Sequence, residues 1–190
     1  MYDLIGETVL KFYLRVMPER IPPTTVLYMR RTGAYGVENR KLMDRFQAWM
    51  KEHHLFDGDT VIYAVPMDDP GRTAPAQCRY DVCMERPRDR QFAGGAVKCR
   101  ELECGKYLTF LLPHTAEAVQ TAWERCFSEL GELGCSLDES RPAVERYKKR
   151  LVDQHRCELC VPVLSLPYSA EGKRCQSKQS NAIWKSGAEG

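Results

Sequence analysis

Two acids and a phenol near the carboxyl end carry most of the chemistry this sequence can offer. Glu158 lies in the run Cys157-Glu158-Leu159-Cys160-Val161-Pro162-Val163, which is otherwise apolar enough to be a buried strand. An unpaired carboxylate is expensive in such surroundings, and burial would raise its pKa. A cationic ligand or a reacting water would supply the missing partner. The competing reading is an edge-strand acid paired with Lys148 or Arg156. Glu145 and Tyr147 precede that strand, in a segment that reads as a short helix or turn. A phenol beside a carboxylate can hold it, orient a water or donate to a leaving oxygen. The competing reading packs the Tyr147 ring on the core with its hydroxyl in water.

Three further rings could form a platform. Trp123 and Tyr107 fall in apolar stretches where core packing competes with a ligand-facing role. If the Trp123 ring reaches a cleft, a cation over its face is worth about 0.5–2 kcal/mol. Tyr35 sits in a Gly-flanked turn before a helix, where loops border the space between modules. The other reactive types point elsewhere. His53 and His54 are adjacent and so do not share a helix face, while His114 and His155 lack a partner acid or nucleophile in any recognisable pattern. Among nine cysteines only Cys157 and Cys160 have CxxC spacing. Three positions apart on a strand they face opposite sides, so they read as core thiols and not as metal ligands. No phosphate loop, nucleophile elbow or HExxH motif occurs, and no cofactor or metal is expected.

The elements that position these residues are stated twice. Val26 to Met29 runs toward a helix bearing Leu42, Phe46 and Trp49, and Tyr107 to Leu112 runs toward one bearing Val119, Trp123 and Phe127. The closing strands Val61 to Pro66 and Cys157 to Pro162 also match, with Glu158 standing where the first copy has Ile62. Lys11 to Val16 reads as a first strand stopped by Pro18, and Val97 to Glu103 with Tyr107 to Leu112 as a hairpin around Cys104-Gly105. Thr115 is the expected N-cap of the second helix and Gly134 its stop. The fold class is α+β: duplicated strand–helix–strand–strand modules in a mostly antiparallel sheet, helices on one face, and a ligand cleft between the halves. Residues 1–165 make one domain of two modules (about 9–86 and 96–164), and 166–190 a polar tail.

Composition narrows the partners. Apolar content of 43%, charged content of 28% and a formal charge of +2 without like-charge blocks argue against nucleic acid or an anionic membrane surface. No run nears the roughly 20 apolar residues that span a bilayer, and no secretory leader pattern opens the chain. A cytoplasmic protein with reduced thiols is expected.

Assembled in order, these motifs resemble the GyrI-like small-molecule-binding family, whose domains also form the effector-binding part of AraC-type and MerR-type regulators. The likeness rests on Tyr28 to Gly36, on Cys78-Arg79-Tyr80-Asp81, and on Gly105-Lys106-Tyr107. Trp123, Arg141 to Tyr147, and Glu158 before Val161-Pro162-Val163 complete it. It spans roughly Val9 to Leu164. The resemblance implies a pseudo-twofold pair of modules and an aromatic cleft around one glutamate, taken to be Glu158, with Tyr35, Tyr107, Trp123, Glu145 and Tyr147 as ligand-binding neighbours. It implies binding or sequestration of hydrophobic, often cationic or polycyclic small molecules. The alternative it carries is a hydrolase opening the cyclopropane of DNA-alkylating natural products, Glu158 activating water and Tyr147 acting on the departing oxygen. Some relatives act on a topoisomerase, which nothing in this charge pattern supports. No helix-turn-helix pattern precedes the matched segment.

Overall fold

The computed structural model describes residues 12–166, apart from 89, 91, 93, 94 and 104. The expected strand start at Lys11 and all of the tail expected over 166–190 except Leu166 lie outside these residues, and Leu166 is buried in the core. In chain order come β1 (Arg15–Ile21), β2 (Thr24–Thr32), α1 (Val37–Glu52), β3 (Val61–Pro66) and β4 (Arg79–Glu85). The second half holds β5 (Lys98–Leu102), β6 (Gly105–Pro113), α2 (Ala116–Glu132), β7 (Val144–Lys148), the single turn α3 (Lys149–Val152) and β8 (Arg156–Pro162). The strands form one antiparallel sheet in the order β1-β6-β8-β7-β3-β4-β2-β5.

Local chemistry accounts for the helices. Gly33 and Gly36, both at φ 140°, make the turn into α1 in a region that L side chains avoid. From α1, Leu42, Phe46 and Met50 recur at helical spacing and are buried. The Thr115 side chain accepts a 3.1 Å bond from the Ala118 amide, capping α2, and Gly134 at φ 68° turns the chain away after it.

Three sequence expectations change. The first strand runs through Pro18 instead of stopping there, because β1 is an end strand that pairs on one side only, with β6. β5 and β6 do not form a hairpin; β5 pairs with β2, and β6 with β1 and β8. The pairs Ile21–Gly105 and Thr24–Leu102 share one register, so a bent strand β1–β2, broken at Pro22-Pro23, lies along a bent strand β5–β6. Glu145 and Tyr147 belong to a strand and not to a helix or turn; β7 pairs with β3 on one side and β8 on the other.

Alternation sorts the sheet into two faces. On one, α2 covers Leu108, Phe110, Leu112, Cys157, Leu159 and Val161, while α1 covers Leu27, Met29, Ile62, Ala64, Val82 and Met84. Among the described residues no helix covers the opposite face, yet it is filled: Val26, Val65, Cys83, Val144 and Cys160 are buried there as the sheet curls on itself. Cys157 and Cys160 fall in different clusters, and burial pushes their thiols up to about 12 and about 11.

Arg141 pins the bend at Gly105. Its guanidinium donates to Asp138 at 2.8 Å and to the Lys106 carbonyl at 3.2 Å, and lies 4.8 Å from the Tyr107 ring centroid. A Cβ on Gly105 would stand 1.7 Å from Arg141 Nη1. Gly105→Ala is therefore expected to displace this buried arginine and cost about 1–3 kcal/mol, read as a lowered urea midpoint.

Candidate functional site

Because β7 sits mid-sheet, its residues alternate between the helix-covered face and the curled interior. Glu145 and Tyr147 point to the helix side at the seam between the halves: Tyr147 packs against both the α1 and the α2 clusters. Glu145 Oε1 accepts a 2.7 Å bond from the Trp123 indole N–H of α2, and Oε2 a 2.7 Å bond from the Tyr147 hydroxyl. Burial raises the Glu145 carboxyl above its usual range, with the Tyr147 and Trp123 bonds pulling the other way. Burial, then the Glu145 charge, holds the Tyr147 phenol well above its ordinary value.

Rings extend from this pair on both sides. The exposed His114 ring lies 5.2 Å from that of Tyr147. Burial, followed by the Glu145 charge, also raises the Tyr80 phenol of β4, and the Tyr35 ring lies 6.0 Å from that of Tyr80. The Tyr35 hydroxyl donates to the Asp68 carbonyl at 2.8 Å, which fixes the turn before α1 at the border of the seam.

Glu158 is elsewhere. It is buried, as expected, but on the curled interior face, and it is not alone. Arg146 Nε donates to it at 2.7 Å, and Lys148 Nζ approaches at 3.1 Å. Arg146 also grips Glu19 of β1 at 2.6 Å, and Glu19 accepts a 3.0 Å bond from Thr109. Burial opposes ionisation of Glu19, but Arg146 and Thr109 hold its carboxyl below the usual range. The expected pairing with Lys148 is present, and Arg146 is the nearer partner. Tyr107 is likewise on the interior face, under Arg141. The structure thus brings together Glu145, Tyr147 and Trp123, places Tyr35 at the border through Tyr80, and separates Glu158 and Tyr107 from them.

Sequence reasoning left out Tyr80, His114 and Arg146. The signal for Arg146 was Val144-Glu145-Arg146-Tyr147-Lys148 itself: read with a period of two, it puts Glu145 and Tyr147 on one face, Arg146 and Lys148 on the other. The register Arg146–Glu158 then follows from pairing.

One contrast singles out Glu145. Seven carboxylates among the described residues are buried or half-buried, and six of them, Glu19, Asp68, Asp81, Glu129, Asp138 and Glu158, have an arginine partner within 4 Å. Glu145 has only neutral donors.

The chain is similar to several known proteins. A family model for the GyrI-like small molecule binding domain matches residues 16–164. YosT, an SPbeta prophage-derived protein of Bacillus subtilis (strain 168) named as a transcriptional regulator, is 35% identical over 151 residues, covering 79% of this chain and 99% of that protein. Among solved structures, EcmrR in a DNA complex aligns with a TM-score of 0.64 at 13% identity, over 84% of this chain; the chain spans 60% of the length of EcmrR. The EcmrR C-terminal domain alone gives 0.58 at 13% identity, over 80% of this chain and 98% of the domain. A hydrolase from Listeria innocua gives 0.51 at 13% identity, over 82% and 95%. At such identities these structures speak for the fold, whereas the family match covers α1, α2, α3 and every strand but the first residue of β1. The chain belongs to the GyrI-like family of small-molecule-binding domains.

Proposed function

We propose that this protein binds hydrophobic cations in the seam over Glu145, with Trp123 and Tyr147 as the inner walls and Tyr80, Tyr35 and His114 farther out. What carries the reading is the missing counter-charge: every other buried or half-buried acid in the described residues is matched internally, and this one is not. A carboxylate crowded by protein but bonded only to an indole and a phenol gains most from a positively charged guest. The flanking rings add apolar area and cation–π attraction without demanding one molecular shape. The relative YosT is named as a transcriptional regulator, and effector sensing is one use such binding would serve.

The test is a charge series of phenyl-bearing probes, in which the cation and the anion match in size. Tetraphenylphosphonium, neutral triphenylphosphine oxide and anionic tetraphenylborate are titrated against the full chain, with tryptophan fluorescence and calorimetry as readouts. The cation is expected to bind tightest by roughly tenfold or more, and equal affinity for cation and anion would sink the reading.

One observation favours a second reading, a hydrolase of strained electrophiles. Glu145 and Tyr147 form an acid–phenol pair 2.7 Å apart, the combination that can activate water and protonate a leaving oxygen. Incubation with a cyclopropane-bearing alkylator, followed by mass spectrometry for a water adduct, separates it from simple binding.

A further inference from the structure

A seam acid that stood permanently ionised would need compensation, and the described residues around Glu145 offer none. From β7 itself comes Tyr147, from β4 Tyr80, from β8 Cys157 and from α2 the Trp123 indole, all uncharged near neutral pH. Ile62 and Ala64, the partners of Tyr147 and Glu145 across β3, are apolar, and α1 turns Leu42, Phe46 and Met50 to this face. Arg31, which senses Tyr80, is bonded to the Ala34 carbonyl at 2.9 Å and to Asn39 at 2.6 Å. The His114 ring lies tilted beyond Tyr147, and its partial desolvation there and His155 hold it toward its neutral form. The 2.7 Å contact between Glu145 Oε2 and the Tyr147 oxygen serves either proton state: the phenol donates to a carboxylate, or the carboxyl donates to the phenol oxygen. The direction in which burial moves this carboxyl agrees.

We propose that the seam is a proton-exchanging receptor: Glu145 carries a proton while the seam is empty and releases it when a cation enters, one positive charge replacing another. The inference rests on the reading of Glu145 as the partner of the cation. The only bond that breaks is the carboxyl O–H, and its proton passes to solvent. Because cation and proton compete for one carboxylate, affinity rises with pH as long as the empty site is protonated, and levels off once it ionises unaided.

Tetraphenylphosphonium suits the test because it has no proton of its own. Calorimetric titration in two buffers of different ionisation enthalpy, repeated from weakly acidic to neutral pH, counts protons directly. The expected result is release of about one proton per ligand at the acidic end, with affinity climbing about tenfold per pH unit before the plateau. In Glu145→Gln the release and the slope should vanish together, while both should persist in Glu158→Gln, whose acid lies on the other face. Binding with no net proton change at any pH would overturn this inference and leave the cation site standing. Release that survives in Glu145→Gln would also overturn it, by assigning the proton elsewhere. Failure of every probe to bind would overturn both.

Discussion

Replacing Arg146 with methionine is expected to remove about 3–5 kcal/mol of stability, the largest loss from any single change of a polar side chain in this fold. The guanidinium is 4% exposed and stands between Glu19 and Glu158, at 2.6 and 2.7 Å. Methionine fills similar volume but strands two carboxylates, and only Glu158 retains a cation, Lys148. The carboxyl of Glu19 is held below its usual range, so the stabilisation it brings is present above the unfolded value and is lost as pH falls through the folded one. Arg146→Met should therefore lower the urea midpoint most at neutral pH and much less in acid. A loss below about 1 kcal/mol would mean that the interior relaxes or admits water around these acids.

The second large effect is a crossed one between the two acids of the carboxyl-terminal strands. Glu145→Gln should weaken tetraphenylphosphonium binding by roughly thirtyfold, about 2 kcal/mol, with little change for the neutral oxide. Glu158→Gln should leave cation binding nearly intact. Stability should respond the other way round. Glu145 keeps its proton in the folded state to higher pH than in the unfolded chain, so native protein binds more protons in that interval and stability falls as pH rises through it. Glutamine has no such slope, and the Glu145→Gln protein should match or exceed the parent in stability at neutral pH. Glu158→Gln leaves Arg146 and Lys148 short of an anion and should be destabilised. Ligand titration and urea melts on the same two variants read both halves, and a loss of cation binding confined to Glu158→Gln would move the site to the other face.

The repeat was legible because its signals are local. Stripes such as Leu42-Phe46-Met50, the Thr115 cap and the apolar closing strands are readable within a dozen residues. The centre of the site was harder, since it depends on facing. Glu158 draws attention as an acid in an apolar run, and the run is indeed buried, but which acid looks into the seam is decided by strand parity across β7 and β8. Reading Val144 to Lys148 as a helix or turn removed that parity, and with it the link between Arg146 and Glu158. Tyr80 was visible within the motif Cys78-Arg79-Tyr80-Asp81, yet its approach to Glu145 arises only after β4, β3 and β7 line up. The exchange of edge strands had no local signature; Pro22-Pro23 marked a break without saying that the chain resumes the same ladder beyond it.

That shared ladder makes the duplication an interlock. β1 belongs to the first copy in sequence but completes the β6 side of the second, while β5 of the second copy edges the first. Like two hands clasped, neither copy holds a finished set of strands while the other is missing. Tying Arg15 to Leu111 and Glu19 to Arg146 demands closing loops of about a hundred residues, steps of high contact order that slow assembly and bind the halves into a single cooperative transition. The seam proposed to receive a guest is thus framed by strands that both halves supply.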